Sequence, residues 1–183
     1  MLITNFILFQ LAWFACVLGA ANSLPWLGVS ATAIILAWHF FHSKHPKYEL
    51  LLILAALLIG ALFDQLMLTM NWVNYQAHGW SQNLVPVWIL ALWLAFASTL
   101  NLSLAWMQGR YLIAVLFGGG GGPLAYFGAE KLGAVSLTST NSLVALGIGW
   151  AVITPLLLIL AGKLNQTSKL NQASKLKQTR ESR

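Results

Sequence analysis

Long apolar runs, broken only by short polar links, constrain this chain more than any other feature. From Tyr48 to Met70 the sequence is a near-continuous Leu/Ile/Ala run interrupted by Gly60, Asp64 and Gln65. As a helix, such a run is long enough to cross the ~30 Å hydrocarbon core of a bilayer. Comparable runs extend from about Thr4 to Ala21, from Pro25 to Ser43, from Pro86 to Gln108, from Arg110 to Lys131 and from Ser142 to Ala161. Only 8% of residues are charged, against about 25% in a soluble domain, so the surface cannot be mostly wet. The expected fold is all-α: a polytopic membrane protein, one bundle of six transmembrane helices.

The links support that count. Asn22 to Leu24 is short, and Pro25 suits the first turn of a helix, so spans one and two form an antiparallel hairpin. Lys44-His45-Pro46-Lys47 and Gly109-Arg110 are tight basic turns. Asn71 to Val85 is rich in Trp72, Tyr75, His78, Trp80 and amides. Such side chains belong at headgroup level, which predicts an interfacial loop with room for a short helix. Residues 132–141 read as a small polar surface link.

Charge then orients the bundle. Six spans put the N-terminus, the 44–47 turn, the 109–110 turn and the C-terminal tail on one side. That side holds nine of the ten Lys/Arg; Lys131 alone lies opposite, beside Glu130. The positive-inside rule makes this side cytoplasmic, so both termini are expected in the cytoplasm. Residues 1–162 form the expected helical domain. The basic tail, 163–183, repeats Lys-Leu-Asn-Gln-Thr-Ser with a period of six. That period fits no helical stripe and predicts disorder near anionic lipid. The tail carries five of the net +6 charges, so the basicity points to a membrane surface and no nucleic-acid partner is expected. Cys16 is the only cysteine, which excludes an intrachain disulfide. A cleaved signal peptide is not expected, because no Lys or Arg precedes the first run.

Polar groups at membrane depth are the candidate sites. Helical rise places Asp64 about 24 Å from the cytoplasmic end, level with Pro123 to Tyr126. A carboxylate there must be protonated, hydrogen-bonded or functional, since insertion of an unsatisfied one costs ~2.5–3.5 kcal/mol or more. Two readings stand: a proton-handling or substrate-contacting acid, or a structural hydrogen bond to Tyr126 or to backbone near Pro123. The run Gly118-Gly119-Gly120-Gly121-Gly122-Pro123 allows three readings. Small residues permit close helix packing, with Ala91, Ala95 and Ser98 of span four as partners. The helix can instead break, starting a half-helix at Pro123. Bare backbone can also line a groove for lipid. A phosphate loop is excluded, because no Lys-Ser/Thr follows.

Ser98, Asn101 and Ser103 read first as interhelical hydrogen-bonding groups and second as ligand contacts. His39, His42 and His45 lack the nearby acid or thiolate that a metal site needs, so neither metal nor cofactor is expected. Ser, His and Asp never share a depth, which argues against a catalytic triad.

The run Ala91-Leu92-Trp93-Leu94-Ala95-Phe96-Ala97-Ser98-Thr99-Leu100-Asn101, with Gly122-Pro123-Leu124-Ala125-Tyr126 and Lys131-Leu132-Gly133-Ala134, resembles a bacterial family of small inner-membrane proteins, domain of unknown function 2878. The resemblance covers spans one to six and leaves out the tail; Asp64 fits its pattern. It implies an uncharacterised integral membrane protein whose relatives are encoded near enzymes that modify membrane fatty acyl chains. The functional expectation is a non-catalytic accessory protein linked to membrane lipid or acyl modification. Its partners would be lipid, and a membrane protein or second copy. The alternatives are a small proton-linked carrier using Asp64 and a membrane-embedded enzyme.

Overall fold

The computed structural model describes the backbone of residues 2–181 and the side chains of 2–174 and 178. Among the described residues there are six α-helices: α1 (Leu2–Ala21), α2 (Pro25–His42), α3 (Pro46–Thr69), α4 (Val87–Ala97), α5 (Tyr111–Lys131) and α6 (Thr140–Glu181). Two short strands, β1 (Val73–Tyr75) and β2 (Val135–Leu137), pair antiparallel, with Asn74 opposite Ser136. Four helices, α1, α3, α5 and α6, are long and apolar enough to cross a membrane. Large apolar side chains such as Ile3, Phe41, Leu62, Leu112 and Leu124 are exposed around the outside. That is the surface a bilayer solvates and water does not.

The chain has two distinct ends. At one, Asn5 of α1 accepts from the Ser103 hydroxyl, Asn101 donates to Glu49 of α3, and Asn171 of α6 donates to the Tyr48 hydroxyl. The α2–α3 turn and residues 101–110 therefore gather there with the start of α1 and the far part of α6. At the other end, the β1–β2 ribbon ties the 71–85 loop to the α5–α6 link. Pro25 at the start of α2 lies against Gly79 there.

Three expectations are corrected. Span four is not a continuous helix from Pro86 to Gln108. Helix α4 stops at Ala97 and turns fill 98–104, ahead of a 3-10 turn at Ala105–Met107. The sequence explains the stop. Ser98 and Thr99 hydroxyls donate to the carbonyls of Ala95 and Phe96, three residues back. The amides of Thr99 and Leu100 also tighten onto carbonyls three residues back. Side chains compete with the helical ladder here. The irregular backbone survives because it is interior: Ser98, Thr99 and Leu100 are buried.

The 71–85 loop contains a strand rather than a helix, and Val73 and Tyr75 of that strand are buried. The repeat after Gly162, expected to be disordered, continues α6 as helix to Glu181. No glycine or proline follows Gly162 to stop it, and Leu, Lys and Gln are good helix formers. Side-chain hydrogen bonds hold the nearer part of this stretch. Asn165 donates to Asn101, and Asn171 to Tyr48. Residues 182–183 and the side chains of 175–177 and 179–181 lie outside the described residues.

Candidate functional site

Asp64 sits one helical turn above Gly60 on the buried face of α3. The glycine is required: a Cβ there would fall 1.9 Å from the Trp93 ring. Trp93 of α4 therefore lies flat across α3, and its indole nitrogen donates to Asp64 Oδ2 at 2.5 Å. The Tyr75 hydroxyl donates to Oδ1 at 2.7 Å, and the Tyr126 hydroxyl of α5 donates to the same oxygen. Asp64 has no exposure. Three elements beside its own thus deliver three donors to one carboxylate, the kind of satisfaction a buried acid needs. Burial first, and Asp64 beside it second, push the Tyr75 hydroxyl well above its ordinary value, which keeps it a proton donor. Of the two structural partners expected from depth, Tyr126 and backbone near Pro123, the hydroxyl of Tyr126 is the one bonded. Tyr75 and Trp93 were not foreseen.

The glycine run is helical throughout; α5 passes through Pro123 without a break. Proline removes the donor that would meet the Gly119 carbonyl. That carbonyl instead lies against Gly147 of α6, where an added Cβ would come within 3.3 Å of it. Such close backbone approach permits Cα–H···O contact. A Cβ at Gly118 would meet the Trp150 carbonyl at 2.3 Å, and one at Gly122 would meet the Trp150 ring at 2.2 Å. So Gly118, Gly119 and Gly122 are a packing face, but their partner is α6 and not Ala91, Ala95 and Ser98 of span four. Gly120 and Gly121 face open space.

Gly121 borders a groove. A cavity of about 380 Å³ lies between α1 and α5, lined by Trp13, Phe14, Phe117, Gly118 and Gly121, with Phe96 and Trp150 at its floor. Phe14 and Phe117 at its rim are exposed. An inner cavity of about 80 Å³ shares Phe9, Trp13, Phe96, Ala125 and Trp150 with it and reaches Trp93 and Tyr126. Trp93 and Trp150 stack face to face, with centroids 4.7 Å apart. The Trp150 indole nitrogen is buried without a partner. The groove is therefore mainly aromatic and apolar, with Gln10 and Thr154 as polar lining, and its inner end touches two of the Asp64 donors.

The remaining predicted residues separate from this centre. The Ser98 hydroxyl donates to Ala95, and its carbonyl accepts from Asn5. Asn101 belongs to a second polar cluster, bonded to Glu49, Gln108 and Asn165. Glu49 also meets His39 at 3.3 Å. An acid does stand near the histidines, contrary to expectation, because the α2–α3 hairpin folds it back. Glu49 in the first turn of α3 was the available signal. Among the described residues, no group of three or more His, Cys, Asp or Glu could hold a metal ion.

Residues 2–156 match the family model described as protein of unknown function (DUF2878). The chain belongs to that family. No curated protein and no solved structure matches it.

Proposed function

We propose that this family member is a six-span protein of a bacterial cytoplasmic membrane that holds a lipid acyl chain in the α1/α5 groove. It acts as a non-catalytic accessory to membrane-lipid or fatty-acyl modification. In this reading α2 and the broken segment 86–108 complete the six crossings, and residues 163–183 form a basic extension on the cytoplasmic side. A membrane-protein partner or a second copy would receive the lipid. The observation that carries the reading is the groove itself. It is mainly apolar, it is bordered by bare backbone at Gly121, and it opens where the bundle's surface is apolar.

The test separates groove from packing. Gly121→Leu fills the groove without touching α6, whereas Gly120→Leu adds the same side chain in open space outside it. Lipid bound to the detergent-purified protein is measured by native mass spectrometry. Wild type and Gly120→Leu should retain lipid, and Gly121→Leu should lose it. A folded Gly121→Leu protein that retains the same lipid would end the groove hypothesis. The proton-linked carrier is the weaker alternative, because the three donors around Asp64 suit an acid fixed in place.

A further inference from the structure

A second concavity lies away from the groove, at the end where α2 turns into α3. Where α2 turns into α3, a cavity of about 230 Å³ is lined by Trp38, His39, His42, Lys44, Glu49 and Asn101. It adjoins a larger one of about 590 Å³, walled by Lys47, Tyr48, Ser168 and Asn171; Lys44 and His45 line both. The wall between Glu49 and α6 is the non-helical stretch after α4, which supplies Asn101. Irregular backbone at membrane depth occurs where it lines a cavity or is buried in protein.

The donor and acceptor balance of this place is one-sided. Among the described residues, Glu49 is the only acid lining either cavity, and both its oxygens are engaged, one by Asn101 at 2.9 Å and one by His39 at 3.3 Å. Among the described residues, Lys44 and Lys47 meet no carboxylate. Two buried side chains have polar atoms without partners. His39, 4% exposed, leaves Nδ1 unpaired in the first cavity's wall; Ser168, 2% exposed, leaves Oγ unpaired in the second's. Buried polar groups are ordinarily satisfied, so each exception calls for a partner. A concavity that holds two lysines without a carboxylate partner, and whose one described acid is already held by hydrogen bonds, attracts negative charge.

We propose that these joined cavities bind a phosphate monoester, with Lys44 and Lys47 as its cationic contacts, the His45 ring beside them and the Ser168 hydroxyl behind. A phosphate monoester brings close to two negative charges and three acceptor oxygens, which matches several donors converging from separate elements. The phosphate can belong to a lipid headgroup or to a free anion, and the site does not depend on the α1/α5 groove being occupied.

Full-length protein in detergent is titrated with dioctanoyl phosphatidic acid, dioctanoylglycerol and inorganic phosphate, read by thermal shift and calorimetry. Phosphatidic acid should stabilise the protein and dioctanoylglycerol should not. Stabilisation by inorganic phosphate at similar concentration identifies a free anion as the ligand; stabilisation by phosphatidic acid alone identifies a headgroup. The double variant Lys44→Gln/His45→Gln should weaken whichever phosphate binds by about tenfold or more. If that variant does not fold, Lys47→Gln, on an exposed position, replaces it. Equal stabilisation by dioctanoylglycerol, no response to either phosphate, or full affinity in the variant would overturn the proposal.

Discussion

At the scale of single residues, Asp64 decides how the bundle interior is read. Its meeting with Tyr126 was legible because helical rise alone puts the two at one depth, and a buried acid needs a donor. Tyr75 was not legible, since it arrives on a strand from a loop whose aromatics resemble headgroup anchors. Trp93 was hidden too, because nothing in the apolar run around it marks one indole as polar contact. Gly60 was the clue: a glycine one turn from the acid admits the Trp93 ring. The arrangement has a measurable signature. Tyr75→Phe removes one donor and is expected to destabilise the protein by about 1–2 kcal/mol. Asp64→Leu strands three buried donors and should lose about 3 kcal/mol or more. Without the carboxylate, Tyr75 has less to lose, so the double variant should fall short of the summed losses by about 1 kcal/mol. Chemical denaturation in detergent gives all three values; strictly additive losses would mean that the Tyr75–Asp64 bond contributes nothing.

At the scale of elements, the glycine run combines two functions on one helix. Three of its glycines face α6, and two do not. Composition made close packing legible, but it could not name the neighbour, because small residues are as available on α4 as on α6. Continuity through Pro123 was also beyond the sequence: the carbonyl that Pro123 leaves without a donor lies against Gly147 of α6, a neighbour only the packing reveals. The break in α4 has the same character, since Ser98 and Thr99 can serve a helix or end one according to what surrounds them. The two kinds of glycine should respond oppositely to alanine. Gly120→Ala adds a methyl in open space and removes unfolded-chain entropy, so it should be neutral or stabilising by up to about 1 kcal/mol. Gly122→Ala forces Trp150 or α5 to move and should destabilise by about 1–3 kcal/mol. Thermal unfolding compares them directly. Equal effects at both positions would show that the face turned to α6 is not what the glycines serve.

At the scale of the whole molecule, the two-ended arrangement constrains threading through a bilayer. The start of α1, the α2–α3 turn, residues 101–110 and the far part of α6 converge at one end through Asn5, Glu49, Asn101 and Asn171. Lys44, Lys47, Arg110, Lys163 and Lys169 belong to those segments, while Lys131 closes α5 near the ribbon and rests on the Phe127 ring. The charge count had grouped the same links on one side, because lysine placement is written in the sequence and needs no contacts to be read. If the basic end faces the cytoplasm, a thiol at position 47 is shielded in intact cells and one at position 82, in the opposite loop, is not. Cys16 is buried against Gly28 and can be replaced first by alanine. In that background, Gln82→Cys should react with a membrane-impermeant maleimide on intact cells, and Lys47→Cys only after the membrane is opened. Labelling of Lys47→Cys alone on intact cells would invert the orientation. Labelling of both would put the two ends on one side of the membrane, which no six-span path through this bundle allows.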